Sequence, residues 1–439
     1  METQQRFGEI QSGLSRRGFL RATAGGLAGL AGIVGLQQPP ALAQAREITM
    51  LSFNNYVPAA DDKLREQAAE FSKQRGVKAH VDTIAHLQLA AKIATEVQTR
   101  SGHDIIVLWR SQSYLYKNHL VPLDDLAEDL GRKYGGWYDW ARDTDFVDGR
   151  WRALYWLFAP FPGLYNKRYF DEAGLAAPDT WDDLVKAGRL LKRRNHPVGI
   201  AISHCFDANI TFWSVLWCYG GKLVEADGKT LAMRSPEMQA TLEYYKALYT
   251  EAMTEEVLSW DDASNNRCLV SGHCAWIHNP ISAYETARSK NMPIHQDIYL
   301  HSTPAGPEGR YWDIGGASLG IWNFSKQIDL AKEFLAYLLA EEQYSAWITA
   351  SEGFMHSALR RYETHPIWEK NPKLAILPKE AQYGRTPGWP TKPNEYIQIV
   401  EDAFILPDMV AKAVTGTPIN EAIQWGEDQV RKVLEGKAG

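Results

Sequence analysis

The sequence predicts an α/β fold, and three observations carry that prediction. Strands and helices alternate from residue 47 to residue 108, a strand, a helix, a tight turn and a second helix follow one another across 164–184, and 439 residues exceed what a single core can hold. At roughly 150 residues per domain, two or three cores are expected.

Residues 47–53 (Glu-Ile-Thr-Met-Leu-Ser-Phe) form the first expected strand. Residues 61–74 place Leu64, Ala68 and Phe71 on one helical face, 77–83 form a second strand, 87–99 a helix, and 104–108 (Asp-Ile-Ile-Val-Leu) a fully buried third strand. This β-α-β-α-β order implies a parallel sheet. In 164–184 an aromatic lead-in ends at Asn166 and a helix runs to Gly174, a residue that tolerates the left-handed turn of a helix stop. Pro178 blocks continuation, and Thr180 with Asp183 forms a capping box for the next helix. Farther on, Tyr219-Gly220-Gly221 ends a helix, Asp227-Gly228 makes a hairpin and Ser235-Pro236-Glu237 caps another helix. A strand through Ile321 and one long helix over 328–347 follow, and 378–393, with Pro387-Gly388-Trp389-Pro390, is the most irregular segment.

Residues 1–45 read as a twin-arginine signal peptide. Ser15-Arg16-Arg17-Gly18-Phe19-Leu20 precedes a Gly/Ala-rich apolar run over 22–36 and small residues at Ala41-Leu42-Ala43, so the mature chain is expected to start at Gln44 or Arg46. The apolar run, about 15 residues, is shorter than the roughly 20 that a membrane span needs. The first cysteine is Cys205, which leaves no sulfur for lipid attachment near the cleavage site. A freely diffusing periplasmic protein, exported already folded, is the expectation.

Loss of residues 1–43 removes four Arg and two Glu, which moves the formal charge from −6 to −8 and argues against a nucleic-acid or anionic-membrane partner. Sixteen Trp and 20 Tyr exceed what a core requires and suggest stacking walls in a binding cleft. Cys268 could bridge to Cys274 and Cys205 to Cys218, but three connectivities, or four buried thiols, stay open.

Tyr165-Asn166-Lys167, Gly174-Leu175, Pro178 and Thr180-Trp181 match the signature of the family 1 extracellular solute-binding proteins, the maltose-binding-protein-like receptors of ABC importers. Asp104-Ile105-Ile106-Val107, Leu120-Val121-Pro122-Leu123-Asp124-Asp125 and Thr303-Pro304-Ala305-Gly306-Pro307 extend the resemblance along most of the mature chain. It implies a two-lobed periplasmic binding protein fold of type II with a ligand cleft between the lobes. Lobe one would comprise 46–158 plus 308–357, and lobe two 159–307 plus 358–439. Two departures beside the cleft, Tyr155-Trp156 where Tyr-Pro is usual and Trp276 where Met is common, imply a ligand unlike the familiar sugars.

Motifs for chemistry are weak. Gly316-Ala317-Ser318-Leu319-Gly320 matches a nucleophile elbow, yet Ser318 precedes a strand rather than following one. Cys268, His273, Cys274 and His278 are too loosely spaced for a zinc site. No haem, P-loop or dinucleotide motif accompanies the twin-arginine signal, so no catalytic residue, metal or cofactor is assigned.

Ligands of two-lobed α/β proteins sit beyond strand ends. After the first strand lie Asn54, Asn55 and Tyr56, and after the third Trp109, Arg110 and Gln112. Trp109 either stacks on ligand or packs on the lobe surface, and Arg110 either clamps a charged group or sits at the surface. The resemblance adds Asp207, Asn209 and Trp213 at a helix start that lines the cleft, with core packing the rival for Trp213. His278 and Asn279 follow a strand at 274–277, Trp312 and Asp313 lie at the lobe crossing, and Trp389 belongs to the irregular segment. The expected function is receipt of a carbohydrate or polyol by a monomeric receptor for an inner-membrane ABC permease. The alternatives are an anionic or nitrogenous solute, such as a sugar phosphate, organic acid or opine, and a periplasmic enzyme.

Overall fold

The first strand, Glu47–Phe53, pairs in parallel with Lys78–Ile84 on one side and Ile105–Trp109 on the other. The sheet then continues with Gly316–Ile321 and Leu154–Phe158, both added antiparallel. The expected parallel unit therefore supplies three strands of a mixed five-stranded sheet, which Leu154–Phe158 and, some 200 residues after the third strand, Gly316–Ile321 complete. This computed structural model describes residues 46–436, and the expected signal peptide lies outside the described residues.

A second sheet runs Ile298–His301, Gly163–Asn166, Trp276–His278, Val198–Gly199. Gly163–Asn166 is antiparallel to both of its neighbours, and Val198–Gly199 is parallel to Trp276–His278. Only residues 159–162 separate the last strand of the first sheet from the first strand of the second, and the chain returns through 302–315.

Local signals hold where the capping chemistry is explicit. The Thr180 hydroxyl accepts the Asp183 N–H at 3.0 Å and starts the Trp181–Arg193 helix, and Asn166 accepts the Tyr169 N–H at 3.2 Å to start Lys167–Glu172. Gly174 takes φ 69°, as the helix stop requires. The first helix starts before the expected residue 61, at Pro58, a residue pre-set for the first helical position.

The single helix expected over 328–347 is two, Ile328–Leu338 and Glu341–Ala350. Ala340 is extended, and Glu341 and Glu342 supply the negative charge that a new helix N-terminus favours. The turn lays Trp347 on Trp156, with ring centroids 4.6 Å apart.

The tryptophans go mainly to the cores. Trp156, Trp181, Trp213, Trp217, Trp276, Trp312, Trp322 and Trp347 are each less than 2 % exposed, so aromatic richness reports packing here more than a cleft wall. Of the open disulfide pairings, the bridge is Cys268–Cys274, while Cys205 and Cys218 are buried free thiols.

Candidate functional site

The ends of the first sheet's strands meet the start of the Phe206–Cys218 helix across a narrow, partly open cavity. Phe53 closes one strand and Trp109 another, and His86 stands in the short 3-10 turn that follows a third. Trp109 meets His86 edge to face at 4.3 Å, and Phe206 stacks on the His86 ring at 4.6 Å. Tyr56 packs near Phe354, 6.2 Å between ring centroids. Phe161 and Ile210 complete an apolar wall. Burial pushes the His86 imidazole down to about 3, so the ring is neutral at any ordinary pH.

The polar groups of the cavity are few and convergent. Asp207, in the first turn of the Phe206–Cys218 helix, accepts a hydrogen bond from Asn265 at 2.7 Å. The same Asn265 amide donates to Asn279 at 3.1 Å, and Asn279 donates to the Ser282 hydroxyl at 3.0 Å. Asp262 accepts the Asp207 N–H at 3.0 Å. Burial raises Asp207 well above the carboxylate range, with the Asp262 charge adding to it, and raises Asp262 to about 6. Three buried polar atoms of cavity residues have no hydrogen-bond partner: Trp109 Nε1, His86 Nε2 and Asp262 Oδ2.

Of the strand-end residues singled out in the sequence, Tyr56, Trp109, Asp207 and Asn279 line this cavity. Others are committed elsewhere. Asn54 is exposed, and Asn55 is bonded through N–H and side chain to Asp61, where it holds the start of the first helix. Gln112 accepts the Trp109 N–H at 2.9 Å and fixes the turn after that strand.

Arg110 is neither a ligand clamp facing the cavity nor a surface residue. Its side chain is fully buried, ion-paired to Asp313 and, at 3.0 Å, to Glu401. Trp213 Nε1 donates to Glu401 at 3.0 Å, and Asn209 donates to the Glu401 carbonyl at 3.1 Å. Thus Arg110, Asp313, Asn209 and Trp213 form one polar knot around a residue of the Glu395–Asp402 helix. Sequence could not reveal it, because Glu401 lies 88 residues past Asp313 with no motif around it.

His278 is buried and bonded to the hydroxyls of Thr211 and Thr303 at 3.0 Å each, and Trp312 Nε1 donates to the Glu380 carbonyl at 2.7 Å. Trp389 lies in a separate open groove with Trp140, Arg360 and Arg385, and its ring stacks near Tyr311 at 6.2 Å. Ser318 lies inside a strand and donates to Asp145 at 2.7 Å, which is no nucleophile elbow. The cavity residues missed in the sequence fall in two groups. Phe53 and His86 also stand at strand ends and obey the rule that selected Trp109, whereas Asp262 sits in an irregular turn that carries no signal.

Residues 57–345 match the bacterial extracellular solute-binding protein family. The chain belongs to that family. The diacetylchitobiose binding protein DasA of Streptomyces coelicolor is 22 % identical over 306 residues, which cover 67 % of this chain and 69 % of DasA. The maltose-bound MalE3 of T. maritima superposes with a TM-score of 0.78 at 20 % identity, covering 88 % of this chain and 99 % of MalE3. A solute-binding protein from Agrobacterium radiobacter K84 in complex with ribitol gives a TM-score of 0.75 at 19 % identity, with 88 % and 98 % covered. These superpositions establish the two-lobed binding-protein fold.

Proposed function

We propose that this solute-binding protein is the periplasmic receptor of an ABC importer and takes a small carbohydrate or polyol into the aromatic cavity. One observation carries the reading: Trp109, His86 and Asp262, each with a buried polar atom that lacks a hydrogen-bond partner, line the same aromatic cavity. Aromatic faces stack on the apolar side of a sugar ring while such atoms bond its hydroxyls. The sugars and the polyol named for the relatives support the same class. The anionic alternative loses its main support, since Arg110 is committed to Asp313 and Glu401.

In this reading lobe one is 46–158 plus 308–357 and lobe two is 159–307 plus 358–439, and closure on the ligand alters the surface offered to the permease. Tyr56, Trp109, Asp207 and Asn279 contact the ligand. Export by the twin-arginine route, a monomeric receptor, no nucleic-acid partner and no catalytic turnover belong to the same proposal.

Thermal denaturation with a sugar and polyol panel tests it. A true ligand at one hundred times its dissociation constant adds about 2.7 kcal/mol of stability. A broad panel that leaves the transition unmoved overturns the carbohydrate assignment.

A further inference from the structure

The cavity holds two carboxylates and no cation. Asp207 and Asp262 are 8 % and 7 % exposed, and neither forms an ion pair among the described residues. Two arginines of neighbouring segments are engaged elsewhere: Arg267 pairs with Asp261 at 2.8 Å, and Arg110 with Asp313 and Glu401.

A structural role accounts for part of this arrangement. Asp262 Oδ1 accepts the Asp207 N–H in the first turn of the Phe206–Cys218 helix, where a helix end favours negative charge. The Phe206 N–H and the buried Cys205 thiol also interact with this carboxyl, and Oδ2 makes no well-formed hydrogen bond. Asp207 has one bond, from Asn265, and Asn265 is shared with Asn279.

The rest of the enclosure is built of π faces: Phe53, Tyr56, Trp109, Phe206, Phe354 and a His86 ring that burial keeps neutral. Such faces attract positive charge through their quadrupoles. A neutral polyol would leave both carboxyls desolvated with no counter-ion, which pushes them toward the protonated form, and an anion would oppose their ionisation further. Burial raises both carboxylates, the direction expected where no counter-ion is supplied.

We infer that the cavity selects a small solute bearing a protonated amine, an amino sugar or amino polyol, whose ammonium sits between Asp207 and Asp262 while its carbon frame lies on the aromatic wall. The inference rests on the receptor reading of the same cavity and narrows its ligand class. An ammonium supplies up to three N–H donors, which suits two carboxylates with free acceptor capacity.

Matched pairs that differ only in the amine test it by titration calorimetry on the mature protein near neutral pH: glucamine against glucitol, and glucosamine against glucose. The amine member of at least one pair binds more than about a hundredfold tighter, and Asp262→Asn and Asp207→Asn, close in shape to the native side chains, each shrink that gap more than about tenfold. A neutral member that binds as tightly as its amine overturns the inference and leaves the receptor reading standing, as does a gap that both amide variants preserve. If neither amines nor neutral polyols bind, both fall.

Discussion

Arg110→Met removes the only cation from a knot in which Arg110, Asp313 and Glu401 are all fully buried. At the 3.0 Å separation of Arg110 and Glu401, the pair is worth about 5 kcal/mol at an effective dielectric constant of about 20, before the cost of desolvating both ions. Loss of one partner of such a knot leaves two buried negative charges, and the measured cost of that kind of deletion is about 3–5 kcal/mol. An unfolding entropy of about 2.1 cal/mol/K per residue over roughly 390 ordered residues gives about 0.8 kcal/mol per degree, so the melting point should fall by about 4–6 °C. Scanning calorimetry reads this directly. Removal of all three charges, Arg110→Met with Asp313→Asn and Glu401→Gln, should return more than half of the loss, because no uncompensated ion remains.

The deficit should also depend on pH. Burial raises Glu401 to about 7, opposed by the Arg110 charge. Without Arg110 it rises further, so the gap to wild type is widest at alkaline pH, narrows as pH falls toward about 7, and changes little below it, where Glu401 is protonated in both. A variant that melts within about 1 °C of wild type at every pH would show that these acids need no counter-ion and refute the reasoning.

Trp109→Ala should reduce ligand affinity at least about a hundredfold by isothermal titration while the melting point of the unliganded protein moves by only a few degrees, and unchanged affinity removes Trp109 from the site. Burial holds the His278 ring down at about 3, so the unfolded chain binds a proton near pH 6.5 that the folded one refuses. Its contribution is complete above about pH 6.5 and is lost as pH falls toward 3, at about 1.4 kcal/mol per pH unit. His278→Gln should flatten the denaturant-measured stability profile between about pH 6 and 4 by that slope. Replacement of Cys268 and Cys274 by Ala opens a loop with a sequence separation of 6 and should cost about 2 kcal/mol in chain-entropy terms, whereas Cys218→Ser, at a buried free thiol, should not change the response of the protein to reductant.

What could be read early follows the range of the forces involved. Thr180, Asn166 and Gly174 act on atoms within a few residues, so their helix boundaries are written locally. The break at Ala340 was not, because the helical spacing of 328–347 is continuous and the turn is decided by how Tyr344 and Trp347 meet Trp156. At the cavity, the strand-end rule selected Trp109 and Tyr56, since chain direction puts those positions at a cleft, and the family resemblance added Asp207.

By itself the sequence determined the family, the α/β layers and the strand ends at which the aromatic cavity lies. Only the tertiary structure decided the use of each side chain, because long-range partners set charge and burial. Arg110 looks available until Glu401 arrives from the distant Glu395–Asp402 helix. Asp262 looks like any turn residue until the Phe206–Cys218 helix is laid against it and buries its carboxyl beside the cavity.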